Sequence, residues 1–266
     1  MTPTDPGLER IRREIVAVGR RLYERGLVAG SEGNVSVRPG GGRLVTTPSG
    51  ACKGFLEPAD LVVTDLEGRP LEAGRPSSEL KMHLEIYRRR DDVRAVVHAH
   101  PPTATGFAIA GRPLDECVVP EVIATLGMVP IVPYGTPSTA EVAERIAPYV
   151  PAHDALLLAN HGAVTYGPEL ERAVNAMESI EQAARSLLVA HQLGEVRRLS
   201  RGEVDRLMAL DPYGSGPRNP GCTITDPAPL AGRGGRSEAA AGSPEERRLR
   251  SRIAEIVRET LDGTAS

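Results

Sequence analysis

The sequence predicts an α/β fold: one three-layer domain with a central, mostly antiparallel sheet flanked by helices, followed by a C-terminal amphipathic helix on a flexible linker. Three observations predict it. Helix-period and strand-period segments are interleaved without the strict βαβ alternation that a parallel sheet requires. The 266 residues are 40% apolar and 25% charged, enough for one sizeable core. Composition then shifts sharply to Pro, Gly, Ala and Ser after Asp211.

The elements follow in order. Leu8, Ile11, Ile15, Val18 and Leu22 recur at helical spacing and end before Gly26, which predicts an opening amphipathic helix over 8–27. Alternation around Val35 and Val37, a glycine-rich turn and "RLVTT" predict a hairpin, with a tight loop at Pro48 to Gly50. "LEPADLVVTD" adds a turn and a strand. "PSSELKMHLEIYRRR" places Leu80, Leu84 and Tyr87 on one helix face, entered through serines suited to capping. "AVVHA" reads as a strand, "PPTATGFAIAG" as a helix opened by proline, "VPIVPY" as a strand and "STAEVAERIAPYV" as a helix. "DALLLANHGAVTYG" reads as two buried strands around a turn. The longest helical pattern carries Leu170, Val174, Met177, Ile180, Ala184, Leu187 and Leu188 on one side.

These readings divide the chain into a domain over 1–210, a linker over 211–242 and a helix over 243–266. The last opens with a capping box from Ser243 to Glu246 and carries an apolar stripe of Leu249, Ile253, Ile256, Val257 and Leu261. A lone helix of that length is marginal unless its stripe is docked.

A net charge of -3 with no basic patch interleaved with aromatics argues against nucleic acid as a partner. No apolar stretch approaches the roughly eighteen residues that span a bilayer, and the N-terminus lacks an apolar signal core, so no membrane association and a cytoplasmic location are expected. Cys52, Cys117 and Cys222 are odd in number and widely spaced, which reads as incidental thiols.

The chemistry concentrates in a few short motifs. In a strand over 95–99, His98 and His100 project from one side about 6–7 Å apart, a good reach for two imidazoles to share one ion. Polar groups satisfied at the sheet's rim are the plainer alternative. His161 ends the apolar run "ALLLAN" before Gly162, either as a turn histidine bonded to backbone or as the third imidazole of an open zinc site. Glu79 follows Ser77 and Ser78 at a helix start, where hydroxyls and free N–H groups attract an anion; an ordinary cap would look the same. Gly33 and Asn34 in "EGNVS", and Ser49 and Gly50 in "TPSG", are turn residues or donors that approach an oxyanion closely. Lys53 is an anion contact or a solvated loop lysine.

Taken in order, "EGNVS", "TPSG", "PSSE", "HAH" and "NHG" resemble the class II, zinc-dependent sugar-phosphate aldolase/adducin family over roughly residues 8 to 200. The resemblance implies one Zn2+ per subunit held by Glu79, His98, His100 and His161. It implies a substrate-phosphate pocket of Gly33, Asn34, Ser49, Gly50, Ser77 and Ser78. It further implies Glu79 as the proton-transferring base, and a homotetramer with interfacial active sites. The implied reaction is retro-aldol cleavage of a ketose 1-phosphate of the L-fuculose type to dihydroxyacetone phosphate and a small aldehyde such as lactaldehyde. Where such aldolases carry a tyrosine acid, this chain has Glu121, which is a replacement acid, a contact for a different aldehyde, or a polar turn residue. Ribulose-phosphate 4-epimerases and the deoxypentulose or methylthioribulose 1-phosphate aldolases and dehydratases share the scaffold. Epimerases usually carry aspartate in place of Glu79, and the adducin head, an interaction module, lacks the metal ligands. The tethered helix resembles peptides that direct enzymes into bacterial microcompartments, with docking on a neighbouring subunit as the alternative.

Overall fold

The computed structural model describes residues 5–210. The linker and helix expected over 211–266, including any microcompartment signal, lie outside the described residues.

Helix α1 spans Pro6–Glu24, entered through Asp5, whose carboxylate accepts hydrogen bonds from the Gly7 and Leu8 N–H groups. Strands β1 (Asn34–Gly40) and β2 (Arg43–Thr46) form the expected hairpin, and β3 (Val62–Asp65) pairs beside β2. Helix α2 (Leu80–Arg89) leads to β4 (Ala95–Ala99), then α3 (Pro102–Ile109), α4 (Pro120–Thr125), β5 (Ile131–Val132) and α5 (Ala140–Ile146). The β6 (Ala155–Leu158) and β7 (Gly162–Gly167) hairpin, α6 (Leu170–Leu193) and α7 (Arg201–Leu210) complete the described chain.

The seven strands form one sheet in the order β3-β2-β1-β4-β7-β6-β5. Every pairing is antiparallel except β5 with β6, so the expected sheet type is found. Strand alternation sorts the core into two layers. Val35, Val97, Leu157 and Ala163 face one way, against Ile15 and Leu22 of α1, Phe107 of α3 and Met177 of α6. Val96, Leu156, Leu158 and Val164 face the other way, against Met82 and Ile86 of α2 and Val142 and Ile146 of α5. That is the helix–sheet–helix sandwich anticipated from the pattern.

Three local expectations need correction. The "VPIVPY" strand is reduced to two residues because Pro130 and Pro133 cannot donate to a ladder. Helices α4 and α7 were not foreseen; Ile123 and Val204 pack them together in a small cluster with Cys117. Cys52 is free but Cys117 is disulfide-bonded, so the reading of three incidental thiols fails there. No helix among the described residues is long and apolar enough to cross a membrane.

Candidate metal and anion site

Strand β4 lies at the middle of the sheet, and its parity decides the site. Val97 and Ala99 enter the α1/α6 layer, so His98 and His100 face the α2 side. On β1 the same parity turns Asn34 and Ser36 toward α2, opposite His98 and Val96. His161 arrives from the β6–β7 turn. The preceding Asn160 adopts a left-handed φ of 57°, a conformation asparagine tolerates, and the His161 N–H closes the turn on the Leu158 carbonyl at 3.0 Å.

The three imidazoles converge. Ring centroids stand 5.0 Å apart for His98 and His100, 4.8 Å for His98 and His161, and 5.0 Å for His100 and His161. His98 Nδ1 lies 2.8 Å from the Ala163 carbonyl, which accepts its proton, so Nε2 is the nitrogen that faces the cluster. His98 Nε2 and His100 Nε2 are 3.2 Å apart, close to the roughly 3.3 Å that two nitrogens keep at one tetrahedral zinc. The carboxylate of Glu79 closes the ring, with Oε2 3.3 Å from His98 Nε2 and Oε1 3.2 Å from His161 Nε2. Glu79 Oε1 is nonetheless buried without a well-aligned hydrogen bond, an orphan that a shared cation would satisfy. These donors fit a small divalent ion.

The protonation states suit a ligand set. Burial, reinforced by the neighbouring His98 and His161, pushes His100 down to about 4, leaving it the neutral imidazole a metal takes. Burial raises Glu79, but hydrogen bonding to and the charge of His161 and His98 outweigh it and hold the carboxyl well below the usual carboxylate range. Glu79 sits at the N-cap of α2 rather than inside its first turn, and its N–H lies 3.3 Å from the Ser77 hydroxyl. Directly beneath, His83 of α2 bonds Ser36 Oγ through Nδ1 at 2.7 Å, and Ser36 also meets the Tyr87 hydroxyl at 2.9 Å.

Beside this cluster opens a cavity of about 430 Å³, lined by all the sequence-predicted phosphate residues, Gly33, Asn34, Ser49, Gly50, Ser77 and Ser78, together with Glu79, His100 and His161. Gly33 has a φ of +73°, and a Cβ there would lie 2.8 Å from the His98 carbonyl oxygen, so this loop touches the metal strand only as glycine. The 48–50 and 75–77 loops are stitched by Ser49 N to Arg75 O at 3.0 Å and Ser77 N to Thr47 O at 3.1 Å. Asn34 has an engagement the motif reading did not give: its side-chain amide donates to Glu79 Oε2 at 2.9 Å and so steadies the carboxylate.

The cavity also includes Glu32 and Ser138, which the motif reading did not place in the site, and Lys53, which it left open between an anion contact and a solvated loop lysine. Ser138 has a left-handed φ of 66°, and its hydroxyl bonds Ser78 Oγ at 2.9 Å. A non-glycine residue in that conformation has no sequence signal. Glu121 is not brought in: it is exposed on the first turn of α4 and outside the residues lining the cavity. A larger groove of about 760 Å³, at Arg10, Arg21 and Glu171 on the opposite layer, carries none of the site's imidazoles or serines.

Fold and site together define a class. Residues 13–188 match the family model for the Class II Aldolase and Adducin N-terminal domain, and the chain belongs to that family. It is similar to the 3-oxo-tetronate 4-phosphate decarboxylase of Escherichia coli K12, 34% identical over 206 residues that cover 75% of this chain and 95% of the relative. It is also similar to the L-fuculose phosphate aldolase of Methanococcus maripaludis, 36% identical over 180 residues that cover 68% and 97% of the two chains. Among solved structures, YgbL of Escherichia coli, described as a candidate aldolase/epimerase/decarboxylase, superposes with a TM-score of 0.71 at 32% identity, covering 76% of this chain and 99% of that one. The chain is accordingly a lyase-type enzyme of the class II aldolase family.

Proposed function

We propose that this protein cleaves the carbon–carbon bond between the carbons α and β to the ketone of a phosphorylated sugar or sugar acid, using one divalent ion, zinc by the chemistry of the donors. The carrying observation is the convergence of His98, His100, His161 and Glu79 at the mouth of a cavity lined by serine hydroxyls and glycines. His98, His100 and His161 would hold the ion, with Glu79 as a further, displaceable ligand. When bound, the ion supplies Lewis-acid stabilisation of the negative charge that develops on the substrate's oxygens. The protein's own groups do the rest. Ser49, Ser77 and Ser78 with the glycine turns hold the phosphate, and the Glu79 carboxylate, kept in place by Asn34, moves the proton at the reacting carbon.

Two substrates give the same electron flow. Retro-aldol cleavage of a ketose 1-phosphate of the L-fuculose type releases an aldehyde; decarboxylation of 3-oxo-tetronate 4-phosphate releases CO2; either leaves the electron pair conjugated with the ketone of dihydroxyacetone phosphate. Retro-aldol cleavage also needs a base at the hydroxyl of the departing aldehyde. Glu121, the residue we assign to it, lies outside the cavity of one chain, so that route requires a neighbouring subunit to bring it in, as a homotetramer with interfacial sites would. Decarboxylation needs no such base, and similarity to decarboxylases over three quarters of the chain favours it as the second reading.

The test is turnover by the zinc-loaded protein of fuculose, rhamnulose and 5-deoxyribulose 1-phosphates and of 3-oxo-tetronate 4-phosphate, following dihydroxyacetone phosphate, with ribulose 5-phosphate epimerisation as control. Release from a ketose 1-phosphate supports the aldolase, release from the oxo acid alone the decarboxylase, and silence on all of them retires both.

A further inference from the structure

Lys53 is among the largest fully buried side chains of the described chain, 2% exposed. That is an unusual place for an ammonium. Nζ donates to the Ser31 carbonyl at 2.6 Å and the Ala51 carbonyl at 2.7 Å. Ser31 precedes the Gly33–Asn34 turn and Ala51 follows Ser49–Gly50, so one ammonium ties together two of the three segments that carry the candidate anion donors. Two carbonyls use two of its three protons and none of its charge.

The charge has no local carboxylate partner: Glu32 turns its carboxylate onto the Ala29 and Gly30 N–H groups, and Glu79 is occupied with the imidazoles. Lys53 is also the sole lysine or arginine among the described residues lining the cavity, where Glu32 and Glu79 are both acidic. A phosphate dianion entering past two carboxylates meets hydroxyl and N–H dipoles but, apart from a metal, only one full positive charge. Burial pushes the amine below its ordinary range while the charges of Cys52, Glu32 and Glu79 pull it back, and an arriving anion adds to that pull.

We propose that the buried Lys53 ammonium is the cation that recognises the substrate's phosphate in this cavity, making it a specificity residue as well as the tie between the two loops. The assignment rests on the sugar-phosphate reading above and deepens it. A purely structural lysine would hold the loops and leave anion affinity to the serines.

The test is the affinity of the metal-loaded full chain for inorganic phosphate, by titration calorimetry at fixed ionic strength, in wild type, Lys53→Met, Lys53→Gln and Lys53→Arg. The neutral variants should bind phosphate about 10- to 100-fold more weakly, the loss expected for one charged hydrogen-bonding partner, with Lys53→Arg within about threefold of wild type. Glutamine keeps a donor for the two carbonyls, so its loss isolates charge. Should the neutral variants fail to fold, titrating wild type carrying isotope-labelled lysine reads the same point, since the Lys53 Nζ resonance should move as phosphate is added. Unchanged affinity in folded neutral variants, an unmoved Nζ resonance, or no phosphate binding by wild type overturns the assignment. Failure of the lyase reading would appear separately, as wild type that binds phosphate but turns over nothing.

Discussion

Gly162 and His100 are in direct apposition: a Cβ built on Gly162 would stand 2.7 Å from His100 Cδ2 and 2.6 Å from the Ala99 carbonyl oxygen. The turn that delivers His161 therefore rests against the ring of another candidate ligand. Gly162→Ala should push His100 out of register without touching Glu79. We expect metal content to fall below half, measured by elemental analysis, and kcat/KM to fall about 100-fold, as roughly 1 Å of misplacement can cost. Full metal content with full activity would contradict the ligand assignment of His100.

Glu79→Gln keeps the size of the side chain and removes the proton acceptor. Turnover should drop about 100- to 10,000-fold while the circular dichroism spectrum is retained. An active Glu79→Gln enzyme would transfer the proton role to another group.

Glu121→Gln separates the two candidate reactions. If Glu121 acts as the retro-aldol base across a subunit contact, retro-aldol turnover should fall by a similar factor while decarboxylation changes less than about threefold. Equal effects on both, or none, would return Glu121 to the status of a surface residue.

Arg90 sets the frame of the layer opposite α1. Its guanidinium, 5% exposed, pairs with Asp92 and Asp154 at 2.8 Å and donates to the Val150 and His153 carbonyls at 3.1 and 3.2 Å. Arg90→Met takes a charged donor from Asp154 and from the Val150 and His153 carbonyls, so chemical denaturation should show a loss of about 1–3 kcal/mol. The activity of the remaining folded protein should match wild type, because no partner of Arg90 lines the cavity.

The two histidine motifs, "HAH" and "NHG", show what was legible in the sequence. The alternation of "AVVHA" put His98 and His100 on one face, and the motif order joined them to His161 and Glu79, because ligand identity is a local property of short segments. The engagement of Asn34 with Glu79 was hidden, since it depends on the β1–β4 register, which a single sequence does not specify. Lys53 was ambiguous for the same reason: a lysine in a loop is buried only when other loops fold over it. The α4–α7 pair was missed because these helices bury only Ile123 and Ala124 on one and Val204 on the other, too few positions to mark a core-facing stripe.

His153 gives a pH-dependent effect away from the metal. Burial lowers it, and its Nδ1 faces the Met128 carbonyl at 3.3 Å. A folded-state value below the ordinary 6.5 means that the unfolded chain takes the proton first, so this contribution is present above about pH 6.5 and is lost as pH falls below it. Urea midpoints at pH 7.5 and 5.5 should differ more in wild type than in His153→Gln, and parallel shifts would assign the acid sensitivity elsewhere.

Because β4 is hydrogen-bonded to β1 on one side and β7 on the other, the candidate ligands meet only once strands far apart in the chain have closed around it. An ion held there would act as a clasp on the completed sheet, drawing its binding energy from the native state alone. Heat tolerance of the whole enzyme should then track the supply of the ion, and a cell short of it would lose the protein itself as well as its activity.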